Sequence, residues 1–206
     1  MSISPNDPVT RIILGSGSPR RREILEALRI PFIVRIPQVD ESVNEGEEPE
    51  VYLDRIVRAK LAAIHALLDE GERQRAIVLV ADTSVIHRGE ILGKPASVED
   101  AEDMVRSLAG DTHEVKTRFL LAFTGEDAGI VPFHAETVTT RVTFRALSEE
   151  EVRDYAASGE GLDKAGAYAV QGFGASLVSR IEGSYSNVVG LPACELVVAL
   201  RRHAQP

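Results

Sequence analysis

At 206 residues, with 44% hydrophobic and 27% charged side chains, the chain has the composition of a soluble globular protein long enough for a substantial core. Its formal net charge of −9 excludes the broad basic face with which proteins bind nucleic acid polymers through their phosphates. No apolar run approaches the ~20 residues that span a bilayer, and Cys194, the single cysteine, excludes an internal disulfide and a thiolate-rich metal site.

The N-terminal stretch MSISPNDPVTR carries neither a basic nor an apolar leader, which predicts a cytoplasmic protein. Residues 11–14 (RIIL) read as a short buried strand, followed by a glycine loop. Ser18 is a candidate N-cap, Pro19 suits a first helical turn, and Ile24, Leu25 and Leu28 form the apolar stripe of the ensuing helix. Residues 32–36 (FIVRI) predict a second strand and 37–48 (PQVDESVNEGEE) a polar surface loop. From Pro49 to about Glu70, Leu53, Ile56, Val57, Leu61, Ile64, Leu67 and Leu68 recur at helical spacing.

AIVLVAD is a continuous apolar run ending in an acid, the pattern of a central buried strand. TSVIHRGEILGKP reads as a hairpin turning near Gly89, and Ser97 opens a helix through S-x-x-D. Two β-rich stretches, about 112–124 and 134–146, are expected to pair antiparallel. Ser148 to Glu151 forms a capping box, 168–189 mixes strands with glycine turns, and a helix from about Pro192 closes the chain. In LPACELVVAL, Cys194 is expected as an inert thiol on a buried helix face. Crossover helices interleaved with hairpins predict an α/β fold on a mixed sheet.

The stretch LGSGSPRRREIL concentrates cations where a strand gives way to a helix. A helix N-terminus offers unpaired N–H groups and the positive end of the macrodipole, so it can seat phosphate. Gly15 and Gly17 allow close backbone approach to a ligand, Ser16 adds a hydroxyl, and Arg20 and Arg21 add planar charged forks. The alternative is a solvated helix face whose arginines pair with Glu23 and Glu26. The spacing fits neither a Walker P-loop, which needs a following Lys-Ser/Thr, nor the dinucleotide fingerprint, which needs a third glycine.

Asp82 ends an apolar strand, where a carboxylate is costly unless paired or working, and Lys94 sits twelve residues on in LGKP. An acid beside a lysine suits water activation next to phosphate neutralisation, or an ordinary salt bridge. In DKAGAYAVQGFGA, Asp163, Lys164 and Gln171 alternate with small residues. The Gln171 amide can match the N3–H and a carbonyl of uracil or thymine; the stretch also reads as a tight structural turn. Asp40 and Glu41 lie in a loop that can help hold a divalent cation, or are merely exposed. Lys60 interrupts an apolar helix face and either snorkels outward or points into a cleft. The five histidines show no ligand spacing, and His113 reads as a strand residue bonded to its neighbours.

Together, LGSGSPRRREIL, VDE, ADTSVIHRGEILGKP and SGEGLDKAGAYAVQGFGASLVSRIEGSYSNVVGLP resemble, in order, the Maf family of nucleoside-triphosphate pyrophosphatases over about residues 11–200. The resemblance implies a single domain over 1–206, an elongated mixed α/β sheet flanked by helices like that of inosine-triphosphate pyrophosphatase, two lobes around a cleft, and a homodimer. It implies hydrolysis of a nucleoside triphosphate to the monophosphate and pyrophosphate with a divalent cation, Mg²⁺ or Mn²⁺. By motif match Asp82 takes the proton-acceptor role, and Arg20, Thr83 and Gln171 set base specificity. Ser16, Arg21, Lys60, Lys94 and Lys164 match phosphate-binding positions, and Glu41 with Asp82 the metal position.

The branch that prefers 7-methyl-GTP carries an aromatic residue where this sequence has Arg20, suited to stacking a cationic base. With Arg20, Thr83 and Gln171, the sequence resembles the dTTP/UTP branch, CTP and modified pyrimidine nucleotides remaining open. Neither a nucleic acid polymer nor a membrane is an expected partner. A nucleotide-binding regulator of septum formation with little hydrolysis is the competing expectation. Two glycines depart from the family pattern, Gly15 for alanine and Gly161 for proline, and are expected to loosen their loops.

Overall fold

The computed structural model of the protein describes residues 11–74, 76–125 and 129–203. In chain order the elements are β1 (Arg11–Leu14), α1 (Pro19–Ala27), β2 (Phe32–Val34), α2 (Pro49–Ile64), α3 (Glu70–Gln74), β3 (Ala76–His87) and β4 (Glu90–Leu92). α4 (Val98–Leu108), β5 (Thr112–Gly125), β6 (Gly129–Phe144), α5 (Glu149–Ala157), β7 (Val178–Glu182), α6 (Tyr185–Val189) and α7 (Ala193–His203) follow. The described strands form one seven-stranded sheet in the order β2-β1-β3-β5-β6-β7, with β4 paired to β3. β1 runs parallel to both β2 and β3, while β3–β4 and β6–β7 are antiparallel, so the sheet is mixed as the pattern predicted.

The chain divides into two compact units. The first holds residues up to Asp82, Arg118–Thr137, and those from Gly190 onward. Its core sets Ile13 of β1 and Val78 and Val80 of β3 against Val57, Leu61 and Ile64 of α2. Each fully buried aliphatic side chain of this kind contributes roughly 1.5–3 kcal/mol. β3 is buried on both faces, because residues of either parity along it are shielded from water. Gly15 N extends this arrangement with a 2.8 Å hydrogen bond to Leu79 O.

The second unit comprises Thr83–Thr117 and Val138–Val189. Val105, Leu108, Val142, Phe144, Val152, Tyr155 and Tyr168 pack together as its core. The β3–β4 hairpin turns at Arg88 and Gly89, both with positive φ (53° and 88°), as a two-residue turn that matches strand twist requires. Ser97 Oγ accepts from Asp100 N, and Ser148 with Glu151 completes the expected capping box.

Several expectations need correction. The helix expected to Glu70 ends at Ile64, and after a 3₁₀ turn Leu68 is extended. Asp69 Oδ1 then accepts from Glu72 N while Glu72 Oε2 accepts from Asp69 N, so a fresh capping box starts α3. The second strand stops at Val34, although Arg35 N still donates to Leu14 O. Residues 168–189 contain one strand, a 3₁₀ turn over Gly172–Ser176 and the short α6, since glycines at positive φ break the extended runs. Ser18 holds the N-cap position of α1, but its side chain makes no cap bond. Cys194 is exposed rather than buried, on the outer side of the stripe formed by Leu196, Ala199 and Leu200.

The two departing glycines serve packing rather than looseness. A Cβ on Gly15 would lie 2.7 Å from Val80 Cγ1 and 3.1 Å from Ile64, so this glycine lets the loop rest against protein, not ligand. A Cβ on Gly161 would fall 1.9 Å from the carbonyl oxygen of Ala167.

Candidate active site

In the first unit the β1–α1 loop buries Ser16 and the first turn of α1 buries Arg21. Ser16 Oγ accepts from Ser18 N (3.2 Å) and from Arg21 Nη1 (2.9 Å), and Arg21 Nε donates to Gly190 O (2.8 Å). Arg21 is therefore gripped from both sides, and the reading in which it faces solvent beside Glu23 and Glu26 falls. Burial pushes its pKa down, the charges of Asp82 and Glu41 push it up, and neighbouring Arg20 pushes it down. Starting so far above neutrality, the guanidinium stays charged. Arg20, the second residue of α1, is half-buried, and Arg22 is exposed, with Nη2 donating to Gly17 O at 3.4 Å.

Lys60 settles inward. It lies on the buried stripe of α2 among Ile56, Val57, Leu61 and Ile64, and its Nζ stands 2.7 Å from Asp82 Oδ1 and 2.7 Å from Glu41 Oε1. A third, longer bond of 3.4 Å goes to Ala81 O, so the three ammonium protons meet three acceptors. Asp82 and Lys60 are both nearly inaccessible, at 11% and 8% side-chain exposure, whereas Glu41 is 42% exposed. Asp82 is fixed by β3, Lys60 by α2, and Glu41 by a loop, and the ammonium ties the three together.

That loop is held by two side chains that sequence reasoning overlooked. Tyr52 of α2 donates from its hydroxyl to Glu41 O at 3.1 Å, and burial followed by the charges of Asp82 and Glu41 raises its pKa. One turn on, Arg55 donates to Ser42 O (2.8 Å) and grips Glu47 through two bonds of 2.6 Å. This fork holds the Glu47 carboxyl at about 2. The signal was the spacing of Tyr52 and Arg55 opposite an acid-rich loop, on adjacent turns of one helix.

The second unit carries Thr83, Lys94, Lys164 and Gln171. Thr83 Oγ1 lies 2.9 Å from Thr117 Oγ1, which donates to Asn187 O at 3.0 Å. Lys94 is exposed in a turn whose Gly93 carbonyl accepts from Gly166 N (3.0 Å), joining LGKP to the DKAGAY stretch. Lys164 Nζ donates to the Asp163 carboxylate and to Glu160 O. Half-buried Gln171 is framed on both sides. Ala169 N donates to Tyr155 OH (3.1 Å), and Glu160 accepts from Phe173 N (2.9 Å) and Gly174 N (2.7 Å). Glu160, also unforeseen, thus caps the turn that presents Gln171; burial opposes its ionised form, but these donors and Tyr155 hold its pKa below normal. His113 is buried with Nε2 2.7 Å from Tyr168 OH, consistent with a bonded strand residue.

Among the described residues no three His, Cys, Asp or Glu side chains gather as a metal-binding group. Glu41 and Asp82 nevertheless converge on one cationic point, the Lys60 ammonium. Two hard carboxylates suit Mg²⁺ or Mn²⁺, which retain waters and take further oxygen ligands from substrate phosphates.

The fold and this cluster define an α/β protein with a buried carboxylate fixed on a lysine ammonium and within the field of a buried arginine. The chain belongs to the Maf-like protein family, whose model matches residues 11–203. It is 46% identical over 201 residues to a dTTP/UTP pyrophosphatase of Myxococcus xanthus, covering 98% of this chain and 96% of that one. It is 48% identical over 193 residues to a dTTP/UTP pyrophosphatase of Geotalea uraniireducens, covering 94% and 95%. The Staphylococcus aureus Ham1 structure matches over 95% of this chain and all of its own at a TM-score of 0.43 and 13% identity, too distant to bear on chemistry. No helix among the described residues is long and apolar enough to cross a membrane.

Proposed function

We propose that the protein is a nucleoside triphosphate pyrophosphatase that hydrolyses dTTP and UTP to the monophosphate and pyrophosphate. The observation that carries this reading is Asp82, buried midway along β3 and hydrogen-bonded to Lys60, with Glu41 on the same ammonium. The names of the curated relatives support the substrate pair.

In this mechanism Asp82 takes a proton from water as the water oxygen bonds to the α-phosphorus. The bond from the α-phosphorus to the oxygen bridging to the β-phosphate breaks, and pyrophosphate leaves with the electron pair. Ser16, Arg21, Lys60, Lys94 and Lys164 hold the phosphate oxygens, and Arg20, Thr83 and Gln171 meet the base. A divalent cation, Mg²⁺ or Mn²⁺, supplies charge neutralisation on the phosphates when bound, and Glu41 and Asp82 would hold it. Lys60 keeps those two carboxylates aimed at a common point, an orientation set before substrate arrives. The enzyme is proposed to work in the cytoplasm as a homodimer.

The test is a panel of common and modified nucleoside triphosphates scored for both products. The reading predicts monophosphate and pyrophosphate from dTTP and UTP at comparable efficiency, since one C5 methyl group discriminates by only ~1–3 kcal/mol. Pyrophosphate no higher than in an Asp82→Asn blank would leave a nucleotide-binding regulator, and free phosphate with diphosphate would mean attack at another phosphorus.

A further inference from the structure

Within the second unit one acidic side chain fastens the turn that carries Gln171. Glu160 follows α5, and its carboxylate accepts three hydrogen bonds: Phe173 N on Oε1 (2.9 Å), Gly174 N on Oε2 (2.7 Å) and the Tyr155 hydroxyl on Oε2 (3.0 Å). An ionised carboxylate only accepts, so the Tyr155 proton is committed to it, and the phenolic oxygen in turn takes Ala169 N at 3.1 Å. The chain is thereby tied down on either side of Gln171.

The clamp is anchored in the core at one end. Tyr155 is fully buried and packs with Phe144, Val152 and Tyr168. Gly172 has a φ of 64°, and a Cβ there would run into Glu160 Oε1, so the turn closes directly on the carboxylate. Half-buried Gln171 lies between the fastened segments and takes no part in the network. The backbone carbonyl of Glu160 meanwhile accepts from Lys164 Nζ. One residue thus holds the Gln171 turn through its carboxylate and Lys164 through its main chain. Hydrogen bonds to an ionised acceptor are roughly twice as strong as neutral ones, which makes this carboxylate the strongest tie on the turn.

We propose that Glu160 is a positioning residue that sets the Gln171 amide for the base, and that through it the site favours uracil and thymine over cytosine. This rests on the reading above in which Gln171 meets the base. On their pairing edge uracil and thymine present N3–H between two carbonyls, whereas cytosine presents a lone pair at N3 beside an amino group. With its backbone fixed, the amide reaches that edge along one path; with the turn loose, it can turn over and match cytosine instead. Fixing a binding group in advance lowers the ordering cost of association and leaves the chemical step alone. Lys164 keeps its bond to the Glu160 carbonyl whatever side chain stands at 160, so the hold on phosphate is separable from the reading of the base.

The experiment measures kcat and KM for UTP and CTP with the wild type, Glu160→Gln, Gln171→Ala and the double variant, alongside thermal melts. A glutamine of the same length keeps one acceptor but sets its own amide N–H against the second backbone donor. Glu160→Gln should therefore raise KM for UTP roughly tenfold, the scale of one hydrogen bond to a charged group, with kcat near the wild-type value and the UTP-to-CTP preference reduced. In the double variant this effect should not add to that of Gln171→Ala, because one residue acts through the other. Tyr155→Phe, which removes one of the three donors and keeps the ring, carries the comparison should Glu160→Gln fail to fold. KM and preference unmoved by the Glu160 or Tyr155 variant while Gln171→Ala shifts them overturn the role of Glu160, as does an effect that adds in full in the double variant or a fall in kcat alone. Values unmoved by every variant, in an enzyme active on UTP, overturn the placement of Gln171 at the base instead.

Discussion

In the first unit Arg21, Lys60, Asp82 and Glu41 bring two cations and two carboxylates together; in the second, Thr83, Thr117, Thr140, Ser184 and Asn187 hold one another through neutral groups. Charge acts over several ångströms and tolerates imprecise placement, which suits phosphates common to every nucleoside triphosphate. Neutral hydrogen bonds depend on which partner owns the proton, which suits telling one base from another. Under the proposed function the charged cluster would serve the phosphates and the reacting water, and the neutral network would support Thr83 beside the base.

That division can be broken from the charged side with the largest effect. Lys60→Met removes the ammonium and leaves Asp82 buried without its partner, a change that costs on the order of 3–5 kcal/mol. Urea unfolding should show that loss, and pyrophosphate release should fall with it because Glu41 and Asp82 no longer share an anchor. Unchanged stability would mean the pair adds nothing beyond a solvated contact.

The neutral side is sharpened by pH. Burial holds His113 uncharged, its pKa lowered to about 4 from 6.5, with His87 adding to the effect and Asp111 opposing it. In the unfolded chain the imidazole titrates normally, so below pH 6.5 the unfolded state binds the extra proton first. Stability is therefore intact above pH 6.5 and is lost progressively as pH falls toward 4, by up to about 3 kcal/mol. Comparing pH-dependent melts of the wild type with His113→Gln isolates this slope, and equal slopes would remove His113 as its source.

How much of this was legible in the sequence follows from how local each signal is. β3 announced itself as an apolar run, although it does not end at Asp82 as the pattern suggested but continues as one strand to His87; the hairpin turn was marked by Arg88-Gly89, and α4 and α5 by their capping serines. The Asp69–Glu72 box was equally local, but the hydrophobic period running through Leu67 and Leu68 masked it. Lys60 was ambiguous because its direction depends on Glu41 and Asp82, which the loop held by Tyr52 and Arg55 and the strand β3 bring to it. The Thr117–Asn187 bond joins residues 70 apart with no charge or glycine pattern to mark them, so nothing local pointed to it. Cys194 was misplaced because the stripe in LPACELVVAL admits a neighbouring exposed position.

Asp82→Asn, assayed in parallel for turnover and for nucleotide binding, is the most direct test of the role of Asp82. Asparagine keeps an acceptor for Lys60 but no longer takes a proton from water, so pyrophosphate release from dTTP should fall by roughly 10³-fold, within the range for a lost general base, while dTTP still binds. A variant that hydrolyses dTTP at the wild-type rate would contradict it.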